Sequence, residues 1–177
     1  MILTITGKPG SGKSTIGKLV AKELNYKFFS AGDLRGQIAQ KHGMTIDQLN
    51  ELGKKERWTD DECDQLVAKM GKEQDKLILD GRLAWHFIPK SLKVFLDVDL
   101  KIAAKRIFRD QRPDEAPVKT EKAMLEKITK RMNEDIARYK KWYNLDIMDL
   151  KHYDLVIDTT KLSPEESAKK IVEFVKK

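Results

Sequence analysis

The stretch Gly7-Lys8-Pro9-Gly10-Ser11-Gly12-Lys13-Ser14 restricts the fold of this chain more than any other. A short apolar run over residues 1–6 leads into it, and a helix-patterned segment over 14–25 leads out of it. It fits G-x-x-x-x-G-K-[ST] in the strand–loop–helix setting that lifts the pattern above a string match. Gly7, Gly10 and Gly12 let the backbone turn tightly and approach a ligand. The amides of such a turn point inward as an anion nest, and the following helix adds its positive end. Lys13 places a point charge on the β- and γ-phosphates, and Ser14 offers a hydroxyl to Mg²⁺. Residues Gly7, Lys8, Pro9, Gly10, Ser11, Gly12, Lys13, Ser14 and Thr15 are therefore the candidate site for a nucleoside triphosphate, read as Mg·ATP. A chance glycine-rich turn would not come with a strand before it and a helix after it.

At 177 residues the chain reads as a single domain, 1–177. Its net charge of +7 would suit nucleic acid, but it equally suits a pocket for two polyanionic small molecules. No Lys/Arg tract with interleaved aromatics is present, so small-molecule nucleotides are the expected partners rather than nucleic acid. The lone cysteine, Cys63, leaves no internal disulfide and agrees with a reducing, cytoplasmic setting. The opening apolar run is too short for a signal peptide, and nothing reaches the length of a membrane span. A monomer is expected.

Strand and helix patterns alternate, which predicts an α/β fold: a doubly wound, five-stranded parallel sheet. Strands are expected over 1–6, 26–30, 76–81, 92–98 and 153–158. Between the second and third, residues 31–73 read as three short helices, an insertion longer than a plain crossover needs. Thr45 to Gln48 reads as a capping box, and Thr59 to Glu62 as another. The segment over about 110–120 holds two prolines and mixed charge, and reads as an exposed loop. A long helix should follow to about Tyr143. Ser163-Pro164-Glu165-Glu166 opens the last one, with Pro at its first position.

In such a sheet, ligands lie over the carboxyl ends of the strands. Asp80 ends an apolar strand there, as a Mg²⁺ ligand or as a cap. Arg82 follows it and is costly to bury unless paired, either with Asp80 or with a phosphate. Arg35, two residues after Asp33, poses the same choice. Arg106, Arg109, Arg131 and Arg138 flank the proline-broken loop. Arg131 and Arg138 lie within about 20° of each other around their helix. The pairs Glu134–Arg138 and Arg131–Asp135 would make them surface ion pairs. As a set they suit phosphoryl transfer, which needs positive charge on equatorial oxygens and little covalent help.

This ordered set resembles the nucleoside monophosphate kinase family, and within it the archaeal-type cytidylate kinases. The resemblance rests on the phosphate loop; Ser30 to Arg35; Leu79 to Ala84; Arg106 to Arg109; Arg131 with Arg138-Tyr139; and Tyr153 to Thr160. It implies ATP-dependent phosphorylation of a pyrimidine nucleoside monophosphate, CMP or dCMP. The insertion would bind the acceptor, with Arg35 and Arg82 on its phosphate. The 110–120 segment would be a lid, with Lys13, Arg106, Arg131 and Arg138 near the transferred group. Thr160 and Lys161 would border the adenine. Asp60 and Asp64 resemble the family's acid pair and face either the base or solvent. The family's Glu-Gly-Arg-Leu-Ala-Gly-Trp is here Asp80-Gly81-Arg82-Leu83-Ala84-Trp85, without the later glycine. A kinase for AMP or for an alcohol such as shikimate or gluconate, with Asp33 as base, is the first alternative. A nucleotide-dependent RNA-associated ATPase is the second.

Overall fold

Leu3 and Ile5 point to one face of the first strand and Thr4 and Thr6 to the other, as a two-residue side-chain period requires. In the computed structural model, which describes residues 1–111 and 117–177, that strand is the middle of a five-stranded, all-parallel sheet. The strands are β1 (Ile2–Gly7), β2 (Lys27–Ser30), β3 (Leu77–Asp80), β4 (Leu92–Asp97) and β5 (Leu155–Asp158). Their order is β2-β3-β1-β4-β5. The helices are α1 (Lys13–Leu24), α2 (Ala31–Lys41), α3 (Ile46–Gly53), α4 (Trp58–Glu73), the single turn α5 (Ala84–Phe87), α6 (Leu100–Arg109), α7 (Glu121–Tyr143) and α8 (Pro164–Val175). None of them is long and apolar enough to cross a membrane.

The sheet is covered on both faces. On one, Leu3, Ile5, Ile78, Val94, Leu96 and Ile157 pack against Ile16 and Val20 of α1 and Ile171 of α8. On the other, Leu77 and Leu79 meet Val67 of α4 and Ala84 of α5, while Phe95 meets Trp85, Tyr139 and Tyr153. Each fully buried side chain of this size contributes about 1.5–3 kcal/mol. The hydroxyls on this second face are satisfied locally: Thr4 bonds Ser91, and Thr6 donates to the Gly81 carbonyl.

Helix ends follow their local chemistry. Thr45 and Gln48 form a capping box, Ser163 and Glu166 form another, and Asp99 and Thr120 cap α6 and α7. The expected box at Thr59 to Glu62 is absent. The α4 helix already begins at Trp58, and the Thr59 hydroxyl donates one turn back to the Glu56 carbonyl. A threonine bonded to a preceding carbonyl does not cap. Trp142 Nε1 donates to the Gly53 carbonyl and Lys54 pairs with Glu134, so α3 is docked on α7. The loop expected over 110–120 lies partly outside the described residues. Its two stems are joined by Gln111, whose side-chain amide both donates to the Val118 carbonyl and accepts from the Val118 N–H.

Candidate active site

A cavity of about 530 Å³ opens over the carboxyl ends of the strands. The phosphate loop forms one wall. Gly7 and Gly10 are there because nothing else fits: a Cβ on Gly7 would lie 2.1 Å from the Leu96 carbonyl oxygen, and one on Gly10 2.8 Å from Ala103 Cα. Gly12 precedes α1 with left-handed φ and ψ, and no side chain caps that helix. Its first amides and its positive end therefore face the cavity. Lys13 Nζ donates to the Gly7 and Lys8 carbonyls at 3.2 and 2.9 Å, folded over the loop that it would leave for a phosphate. Lys8 itself pairs with Asp97 at 2.6 Å.

Ser14 Oγ donates to Asp80 Oδ2 at 2.5 Å. A hydroxyl and a carboxylate in contact at the mouth of a phosphate loop fit Mg²⁺, which takes one or two protein oxygens and fills its octahedron with phosphate and water. Asp80 is buried and does not pair with Arg82, whose guanidinium goes to Asp135.

Another part of the lining is a chain of alternating charge. Arg35 Nη1 lies 2.9 Å from Asp60 Oδ1, and Asp60 Oδ2 lies 3.3 Å from Arg138 Nε. Arg138 Nη2 lies 3.0 Å from Asp135 Oδ1, and Asp135 Oδ2 lies 2.8 Å from Arg82 Nη2. Arg35 is tied further to Asn50 Oδ1 and the Thr59 carbonyl. The surface pairs expected along α7 are replaced: Glu134 serves Lys54, and Asp135 turns inward. Burial holds the Asp60 carboxyl above its ordinary range, although Arg138 and Arg35 pull it down.

The structure brings Lys13, Ser14, Thr15, Arg35, Asp60, Asp80, Arg82, Arg106, Arg131 and Arg138 to one cavity. Arg106 is spent mostly on main chain, donating to the carbonyls of Thr159 and Thr160 at 2.8 and 3.3 Å and to that of Gly10 at 3.4 Å, besides the Thr159 hydroxyl. It joins the phosphate loop to the segment after β5. From that segment Thr159 and Leu162 line the cavity, rather than Thr160 and Lys161. Asp33 is exposed on α2 and does not line it. Where the family pattern has another glycine, Trp85 is buried, donates from Nε1 to the Arg82 carbonyl at 3.0 Å, and stacks on His152. The turn that carries Arg82 is thus held from behind. Gly81 donates to the Ile5 carbonyl, and a Cβ on it would lie 2.8 Å from the Cβ of Ala31, the first residue of α2.

Asp135, Asn50, Phe87 and Lys127 also line the cavity and were not singled out in the sequence. Asp135 carried a readable signal. It falls between Ile128 and Tyr139 on the buried face of α7, where an acid needs a partner.

Asp64 also lines the cavity and accepts a hydrogen bond from the Tyr143 hydroxyl. Burial pushes its carboxyl up to about 7, against the opposing pull of that bond. The folded chain then keeps a proton that the unfolded chain releases near pH 4. The resulting stability is complete below about pH 4 and is lost as pH rises through about 7. Stability should fall by roughly 2 kcal/mol more between pH 5 and 8 in the native chain than in Asp64→Asn. Urea unfolding across that range checks this; parallel curves would contradict it.

Residues 2–161 match the cytidylate kinase-like family. The cytidylate kinase of Methanococcoides burtonii is 35% identical over 161 residues, which cover 91% of this chain and 89% of that one. A protein of Lacinutrix mariniflava named S-adenosylmethionine-dependent nucleotide dehydratase is 36% identical over 176 residues, 99% of this chain but 36% of its own length. Among solved structures, the shikimate kinase of Bacteroides thetaiotaomicron superposes with a TM-score of 0.70 at 15% identity, over 100% of this chain and 99% of that one, which shows the shared fold alone. The match over nearly the whole chain, together with a relative at 35% identity, means that the chain belongs to the cytidylate kinase-like family.

Proposed function

We propose that the chain transfers the γ-phosphoryl group of ATP to CMP or dCMP. The observation that carries this reading is one cavity with two anion cradles: the phosphate loop on one side, the guanidinium groups of Arg35 and Arg82 on the other. An acceptor monophosphate oxygen is already anionic near neutral pH, so it needs no base. It attacks the γ-phosphorus in line, a new P–O bond forms, and the bond to the β,γ-bridging oxygen breaks to release ADP. Lys13, Arg131 and Arg138 face the group in transit and neutralise its spreading charge. Arg106 stiffens the donor loop through Gly10 and Thr159. Bound between Ser14 and Asp80, Mg²⁺ would supply charge neutralisation at the β- and γ-oxygens. The 110–120 segment acts as the lid, its stems joined by Gln111 and Val118.

An alcohol kinase needs a base for a neutral hydroxyl. Asp33, the residue proposed for it, is exposed and outside the cavity lining, which weighs against that alternative. A coupled ADP-release assay with CMP, dCMP, UMP, AMP and shikimate tests the reading. CMP or dCMP should give the highest kcat/KM. Turnover with none of the monophosphates would overturn the proposal, and AMP or shikimate as best acceptor would replace it.

A further inference from the structure

Three guanidinium groups, those of Arg35, Arg82 and Arg138, crowd one wall of the cavity with two carboxylates between them. A buried ion pair contributes little to stability, and an apolar pair of similar volume often does better. Folding alone therefore gives no reason for acids here. Positioning does. A free arginine holds about 2 kcal/mol of rotamer entropy, and a guanidinium fixed beforehand does not spend it when a phosphate arrives.

We propose that Asp135 is a positioning residue: its single carboxylate sets Arg82 and Arg138 at a fixed separation, one oxygen to each, so that Arg82 meets the acceptor's phosphate and Arg138 the group in transit. The inference rests on the kinase reading above and deepens it. Asp135 is buried on α7 and lines the cavity beside both arginines. The two contacts differ in kind. Arg138 Nη2 donates a well-aligned hydrogen bond to Oδ1 at 3.0 Å. Arg82 Nη2 is closer to Oδ2, at 2.8 Å, yet Oδ2 accepts no aligned hydrogen bond. Charge rather than an aligned hydrogen bond holds Arg82 in place, and a guanidinium held so keeps its forked donors for the oxygens of a ligand. Asp60 repeats the arrangement on the far side of Arg138: Oδ1 accepts from Arg35, and Oδ2 faces Arg138 Nε off-angle. The cradle is thus indexed from α7 through α4 to α2 by carboxylates that belong to the protein.

Asp135→Asn keeps the volume and removes the charge. It is expected to lower kcat/KM for CMP roughly 30–100-fold, mostly through KM, while KM for ATP stays within about threefold. Asp135→Glu keeps the charge but moves the oxygens by one methylene, and should fall between the two. Direct titration with CMP and with ATP, each alone, should give the same ordering for CMP only. A folded Asp135→Asn with native CMP parameters would overturn the proposal, as would equal losses for CMP and ATP. Should Asp135→Asn fail to fold by circular dichroism, Asp135→Glu decides: a several-fold rise in KM for CMP supports the role, and a native value defeats it. The unmodified chain separates the two readings. If it turns over no monophosphate, the kinase reading falls and this inference with it. If it turns over CMP while both variants behave as native, this inference alone falls.

Discussion

Replacing Arg82 by alanine should lower turnover with CMP about 10³-fold and leave ATP affinity within about threefold. The split follows from where Arg82 is fastened. Its carbonyl is held by Trp85 and its guanidinium by Asp135, while the phosphate loop is braced by Arg106 and closed over by Lys13. Loss of the Arg82 side chain removes charge from the acceptor wall and leaves the donor wall intact. A factor of 10³ is about 4 kcal/mol of transition-state stabilisation, within reach of one well-placed guanidinium. Arg82→Lys should recover only part of it, since an ammonium offers a point charge in place of a two-pronged donor. Steady-state kinetics with CMP varied at saturating ATP, together with direct ATP titration, gives both quantities. Equal losses in ATP affinity and turnover would contradict the assigned role.

The second large effect is on stability. Arg138 stands between Asp60 and Asp135 with 7% of its side chain exposed. Arg138→Met removes the central cation and leaves two buried carboxylates with one arginine each. The cost expected for breaking a buried pair is about 3–5 kcal/mol, which for a domain of this length lowers Tm by roughly 10 °C. The pH dependence identifies the cause. Asp60 already binds its proton more tightly than an ordinary carboxylate, through burial, and Arg138 is the foremost opposing influence. Without Arg138 its folded-state pKa rises further above the unfolded value. Protonation then favours the folded state, fully at low pH and progressively less as pH climbs. The deficit of Arg138→Met should therefore narrow toward pH 4 and widen toward pH 8. A deficit independent of pH would point to lost packing instead.

What could be read from the chain beforehand was mostly local. The phosphate loop, the strand and helix alternation, and the boxes at Thr45 and Ser163 each depend on residues within a turn of one another, and the structure contains them all. Thr59 shows the limit of such signals. A capping pattern states what a threonine can do, but the preceding residues Arg57 and Trp58 were already helical, and its hydroxyl found a carbonyl first. The acceptor wall was legible in part. Arg35 and Arg82 were singled out because arginines beside strand ends are costly without anions. Their resting partners were not legible, since Asp60 lies 25 residues from Arg35 and Asp135 belongs to another helix altogether. Spacing along α7 offered Arg131–Asp135 and Glu134–Arg138; instead Arg138 pairs three residues back with Asp135, and tertiary packing gives Glu134 to Lys54. The exposure of Asp33 was equally invisible, because a first-turn acid looks the same whether it faces a ligand or water.

The missing room at Gly81 has a consequence for how chains of this architecture can diverge. Where β3 ends and α2 begins, Gly81 lies so close to the Ala31 side chain that it has no room for a methyl group of its own. One arginine follows that point by a single residue, and the other stands four residues after Ala31 on the facing segment. The gauge between them is therefore set where Gly81 meets Ala31, outside every loop in the three-helix insertion. Turns beyond that contact can lengthen, shorten or change sequence to suit another base while the spacing offered to the phosphate stays the same.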